Sequence, residues 1–147
     1  MIEASDRPAP RHPVIADYDG SPSARNALAY AAGMARRSGR PLLVVHVLPP
    51  AVRSDPLTGH PVALPSDLEA MERWLLAELD QIADTADLSV HVRARRGSRS
   101  RELAATAAEL GADALVIGAP TRSWHYFAGA AAGRLASHSR CTVIVVP

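Results

Sequence analysis

The chain has little of what several common protein classes require. It holds one cysteine, Cys141, among 147 residues, which excludes an internal disulfide and suits a reducing cytoplasm. Lying just before an apolar run, Cys141 reads as a small buried apolar group rather than a nucleophile. Net charge is also low, at +1, so neither a nucleic-acid-binding nor a membrane-binding face is expected. Arginines do gather at Arg93, Arg95, Arg96, Arg99 and Arg101, a pattern read as a solvated strand end and helix start. No apolar run is long enough to span a bilayer. Met1 to His12 has charges and prolines but no apolar signal core, so residues 1–12 are expected to form a flexible leader. The chain contains no G-x-x-x-x-G-K-[ST] phosphate loop, no G-x-G-x-x-G and no G-x-S-x-G nucleophile elbow. Its 6 histidines are scattered without metal-ligand spacing, and no metal site is expected.

What is present is a regular alternation of strand and helix signals over residues 13–147, in a chain that is 48% hydrophobic and 21% charged. Pro13 to Asp19 (PVIADYD) is a short apolar run ending in acids, hence a first strand. Ser21 can cap the following helix, and Pro22 suits its first position. Leu28, Ala31, Ala32 and Ala35 recur at helical spacing, and Gly39 ends the helix. Pro41 to Leu48 (PLLVVHVL) is apolar on both faces, as in a central parallel strand. His46 within it reads as a core histidine with its hydrogen bonds satisfied.

Ala51 to Pro65 is rich in proline and reads as a long loop, either mobile or a cover. Ser66 to Ala86 opens as a capping box and places Leu68, Met71, Leu75, Leu79 and Ile82 on one helical face. Asp87 to Ala94 alternates as an edge strand does. A helix carrying Leu103, Ala107 and Leu110 follows, closed by Gly111. The strand Ala112 to Gly118, a helix near Gly129 to Ser137 and the strand Thr142 to Val146 complete the chain. Strict alternation predicts a parallel α/β sheet with helices on both faces.

Five segments in order resemble the universal stress protein family. They are Tyr18-Asp19-Gly20-Ser21, Val44-Val45-His46-Val47, Gly97 after the third strand, Ala112 to Gly118 (ADALVIG) and Arg140 to Pro147 (RCTVIVVP). The resemblance covers about Pro13 to Pro147. It implies a doubly wound five-stranded parallel sheet of order 3-2-1-4-5, of the adenine nucleotide alpha hydrolase-like kind, and a homodimer formed through the last strand. It also implies a cytoplasmic, regulatory rather than enzymatic role in stress response. Many members bind ATP with a divalent cation, so ATP with magnesium is the implied ligand. The ATP-binding pattern is altered here. Gly118 fits its first glycine, but Thr121 stands at the second. Eleven residues rather than nine separate Thr121 from Gly133, and Arg134 replaces the usual serine or threonine.

The implied site lies above the carboxyl ends of strands one and four, where the winding reverses. Its nucleotide-binding residues would be Asp19, Val47, Gly118, Thr121, Gly129, Gly133 and Arg134. Each has a plainer alternative. Asp19 could be a turn acid, Val47 a core valine, and Arg134 a surface arginine. Gly129 and Gly133 could serve helix packing. Trp124-His125-Tyr126-Phe127, in the lengthened loop 122–128, could stack on a base, anchor the loop or meet a partner. The last strand, Thr142, Val143, Ile144, Val145 and Val146, is apolar at a sheet edge and invites antiparallel pairing with its copy. Two functions are therefore expected to compete: an ATP-binding dimeric switch, and a nucleotide-free dimeric interaction module acting through loop 122–128.

Overall fold

A short run, three apolar residues and an aspartate (Val-Ile-Ala-Asp), forms the centre of the sheet. The computed structural model describes residues 8–50, 52–54, 57–63, 68–82, 84–119, 133–135, 137 and 139–147. In it β1 (Val14–Asp17) is buried along its whole length. The chain continues through α1 (Pro22–Ser38), β2 (Leu42–Leu48), β3 (Val52–Ser54), β4 (Pro61–Ala63), α2 (Leu68–Ile82), β5 (Val90–Arg96), α3 (Arg99–Leu110), β6 (Ala114–Gly118) and β7 (Thr142–Val146). Residues 133–135 and 137 are helical, within the fourth helix expected near Gly129 to Ser137.

The main sheet runs β5-β2-β1-β6-β7, and every pair in it is parallel. Counted along the chain, these five strands stand in the expected order 3-2-1-4-5. Successive residues of β1 serve opposite faces. Val14, Ala16 and Tyr18 pack with Leu42 and Val44 beneath α1 and with Leu75 and Leu79 of α2. Ile15 packs with Leu43, Val45, Leu115 and Ile117 beneath Leu103 of α3, together with Leu135. A strand with a core on each side must be apolar throughout, which is why β1, β2 and β6 read as continuous apolar runs.

α1 begins and ends as its sequence directs. The Ser21 hydroxyl accepts from the Ala24 N–H at 3.2 Å, Pro22 occupies the first turn, and Gly39 closes the helix in the left-handed region at φ 63°. Its buried face is mostly alanine (Ala24, Ala27, Ala31, Ala32 and Ala35), so the helix lies close against the sheet.

Two expectations change. The segment expected as a loop over Ala51 to Pro65 contains β3 and β4, paired antiparallel from Val52↔Ala63 to Ser54↔Pro61. Strands of three residues are too short to show a period-2 signal, and Pro61 stands at the first residue of β4, where proline is tolerated. The helix expected over Ser66 to Ala86 is Leu68–Ile82. Only Leu75 and Leu79 of its predicted face are buried, while Leu68 and Ile82 at its two ends are each 36% exposed. Beyond α2, Asp87 and the Asp84 carbonyl bind Arg36 of α1, which fastens the turn before β5.

Candidate functional site

β1 and β6 pair only as far as Ala16↔Val116. Beyond that level each turns to its other neighbour. Asp17 pairs with Val45 of β2, and the Tyr18 N–H donates to the Val45 carbonyl at 2.9 Å. On the other side, Ile117 and Gly118 pair with Val145 and Val146 of β7, and the Ala119 N–H donates to the Val146 carbonyl at 2.7 Å. The two strands part at their carboxyl ends, which opens the crevice of a topological switch point. Asp19 lies two residues beyond the end of β1, and Gly118 is the last residue of β6.

The α1 side of this crevice is closely packed. A Cβ on Gly118 would stand 2.6 Å from the Ser23 carbonyl carbon and 2.7 Å from the Ala24 nitrogen. Gly118 therefore has a packing reason to be glycine: the backbone of the first turn of α1 occupies the space a side chain would need. Asp19 tightens the same turn, its Oδ1 accepting the Ser21 N–H at 2.9 Å. Burial works to raise the Asp19 pKa. Hydrogen bonds from the Ser21 hydroxyl and N–H, with the charges of Arg99 and His46, outweigh it and hold the carboxyl below its ordinary value.

Side chains that the sequence did not single out as site residues surround the end of β1. Asp17, at the end of β1, is 2% exposed and points to the α3 side. Its Oδ2 accepts the Arg99 Nε–H at 2.5 Å and also pairs with the terminal Nη2 of Arg99. Burial raises the Asp17 pKa, and the Arg99 charge and hydrogen bond pull it back without cancelling the rise. On the opposite side, Trp74 of α2 stacks on Tyr18 at a centroid distance of 6.0 Å and meets His46 edge-on at 5.9 Å. Tyr18 is fully buried, and its hydroxyl donates to Glu78 Oε2 at 3.0 Å. His46 Nδ1 lies 2.7 Å from the Tyr18 carbonyl. A carbonyl only accepts, so Nδ1 carries the hydrogen, and His46 has the satisfied role expected of it.

One signal for the Asp17–Arg99 pair was visible. A charge at the end of an otherwise apolar central strand must be partnered, and five arginines cluster along β5 and at the start of α3. Most of that cluster is committed to partners within the fold. Arg95 pairs with Glu102 and Glu109, Arg93 with Glu109, and Arg99 with Asp17.

The remaining predicted residues divide. Val47, half-buried, packs against the α3-side core near Val45. Arg134 lines a cavity of about 590 Å³ with Ser98, Ser100, Arg101 and Ala104 of the α3 side. At Gly133 no atom among the described residues stands within 4 Å of an added Cβ. Thr121, Gly129 and the aromatic loop 122–128 lie outside the described residues. A second cavity, about 450 Å³, lies at the opposite end of the sheet beside Pro10, Arg36, Pro41 and Ser89, away from the crevice.

A five-stranded, doubly wound parallel sheet with a crevice at its switch point defines the class. Within it, the model of the Usp: Universal stress protein family matches residues 11–147, and the chain belongs to that family. No curated protein matches it. Among solved structures, a universal stress protein in complex with cAMP is 20% identical, with a TM-score of 0.69, and the match covers 95% of this chain and 99% of that one. The universal stress protein from Archaeoglobus fulgidus in complex with dAMP is 19% identical with a TM-score of 0.63, covering 95% of this chain and 100% of that one. Universal stress protein UspA from Lactobacillus plantarum is 21% identical with a TM-score of 0.62, covering 93% and 99%. At these identities the likeness is one of fold.

Proposed function

We propose that this chain is a regulatory, non-catalytic protein that binds an adenine nucleotide in the crevice between β1 and β6 and acts as a homodimer. The observation that carries the reading is the end of β1–β6 pairing at Ala16 and Val116, the place in a doubly wound sheet where a ligand crevice is expected. Solved universal stress proteins of the same fold in complex with cAMP and dAMP support an adenine ligand. Asp19 and Val47 are the nucleoside-side residues of this reading. Thr121, Gly129, Gly133 and Arg134 are its phosphate-side residues, with Gly118 at the turn between the two.

ATP with magnesium is one form of the ligand. The carboxylates of Asp17 and Asp19 are already engaged by Arg99 and Ser21, so a magnesium ion would be carried by the phosphates rather than by these side chains. The test is direct. The purified protein is denatured and its supernatant analysed for released nucleotide, and the folded protein is titrated calorimetrically with AMP, cAMP and ATP–magnesium. The reading expects bound nucleotide or binding heat from at least one of them. An empty protein that gives no heat with any would sink the reading and leave the nucleotide-free interaction module acting through loop 122–128.

A further inference from the structure

We infer that Arg99, held in place by Asp17, is the residue by which this crevice distinguishes a phosphorylated adenine nucleotide from the bare nucleoside. The inference rests on the nucleotide reading above and concerns the same site.

Arg99 is the first residue of α3, yet its guanidinium reaches the end of the central strand. Its Nε and Nη2 both engage the single Asp17 oxygen Oδ2. Asp17 lies at the level where β1 leaves β6, so the guanidinium stands in the mouth of the crevice. Its charge also acts on Asp19 across that mouth. The two partners differ sharply in exposure: the Asp17 side chain is 3% exposed and the Arg99 side chain 50%. Asp17 therefore cannot meet a ligand itself. It acts through Arg99, by fixing the plane of the guanidinium from below.

A guanidinium has five N–H donors in a rigid fork. Asp17 takes the inner edge through Nε and Nη2. Nη1 and the outer edge of the fork remain on the exposed side, where two parallel N–H groups match the oxygens of a phosphate. An arginine oriented before the ligand arrives loses less freedom on binding. Its chain neighbours Ser98 and Ser100 line a cavity with Arg101 and Arg134, while Asp17 and Asp19 are the acids its charge acts on. A neutral nucleoside has nothing to offer the outer edge, whereas a nucleotide phosphate does.

The experiment compares AMP with adenosine on the full-length chain by calorimetry, for the wild type and for Arg99→Gln, Arg99→Lys and Asp17→Asn. The wild type should prefer AMP. Arg99→Gln should weaken AMP by about 10- to 100-fold, the range for a hydrogen bond to a charged group, with adenosine unchanged. Asp17→Asn should weaken AMP in the same direction but less, because the charge remains and only its orientation is lost. Arg99→Lys should fall short of full rescue, since an ammonium cannot be held in a plane. Nitrogen NMR of the wild type gives a readout independent of any variant's folding: AMP should shift the Arg99 Nε resonance and adenosine should not. If AMP binds but leaves that resonance unmoved, or if Arg99→Gln keeps the AMP-to-adenosine ratio, the role of Arg99 is overturned and the nucleotide reading stands. If the wild type binds neither compound nor any other adenine nucleotide, both fall together.

Discussion

Two aspartates two residues apart, Asp17 and Asp19, experience opposite surroundings, and their titrations should show it. Burial raises Asp17 above its ordinary value of 3.8, whereas the Ser21 hydrogen bonds and nearby positive charge hold Asp19 below 3.8. The folded chain thus protonates Asp17 earlier than the unfolded chain does as pH falls. Its buried charge costs stability in full above the raised folded value, and this cost disappears below 3.8. Asp19 works the other way: it contributes stability above 3.8 that is lost as pH falls through its lowered folded value. Carbon NMR of the two carboxyl groups should place one midpoint on each side of 3.8, and Asp17→Asn should remove only the upper one. Midpoints on the same side would contradict the burial argument. The glycines separate just as clearly. Gly118→Ala puts a Cβ within 2.6 Å of backbone in α1 and should cost about 1–3 kcal/mol in urea denaturation, as overpacking does. Gly133→Ala meets no described atom within 4 Å and should change stability by less than about 0.5 kcal/mol. A loss of nucleotide affinity in Gly133→Ala without loss of stability would mark it as a ligand residue.

At the scale of single elements, the two serines before α1 and α3 look alike in sequence but differ in the structure. Ser21 caps α1 through a side-chain hydrogen bond to Ala24, whereas Ser98 makes no side-chain cap bond. Ser21→Ala should lower stability by about 1 kcal/mol. Ser98→Ala should change it by only a few tenths, and equal effects in thermal melts would contradict this assignment. α1 was legible almost to the residue because its stop and start signals, Pro22 and Gly39, are local. α2 was less so. Its apolar face runs from Leu68 to Ile82, but only its middle lies over the sheet, which is a matter of where the helix is placed and not of its periodicity. The hairpin β3–β4 escaped notice because three-residue strands carry no period and prolines outweighed them. The arginine cluster also changed meaning: the chain has no lysine, and its 16 basic residues are all arginine, several of them tied to acids of α3 or to β1.

For the whole molecule, the two edges of the sheet are not equivalent. β5 presents His91, Arg93, Arg95 and Arg96 along an outer strand, and charge on an edge discourages pairing. β7 is Thr-Val-Ile-Val-Val with no charge, and among the described residues it pairs only with β6. The proposed homodimer therefore uses β7, through antiparallel pairing of Thr142 to Val146 about a two-fold axis. Val145→Glu, at a position 36% exposed, should shift the protein from dimer to monomer in analytical ultracentrifugation while leaving its circular dichroism unchanged. A wild-type protein that sediments as a monomer would contradict the dimer. Taken alone, the sequence determined the alternation of strands and helices and the caps of α1, because these follow from periodicity and from local turn chemistry, whereas the strand order came from the family resemblance. The tertiary structure alone decided that Gly118 accommodates the backbone of α1, that Arg99 reaches Asp17 and that Trp74 covers Tyr18 and His46. Those contacts join residues many positions apart, and no local pattern encodes which side chains will meet once two faces of a sheet have been covered.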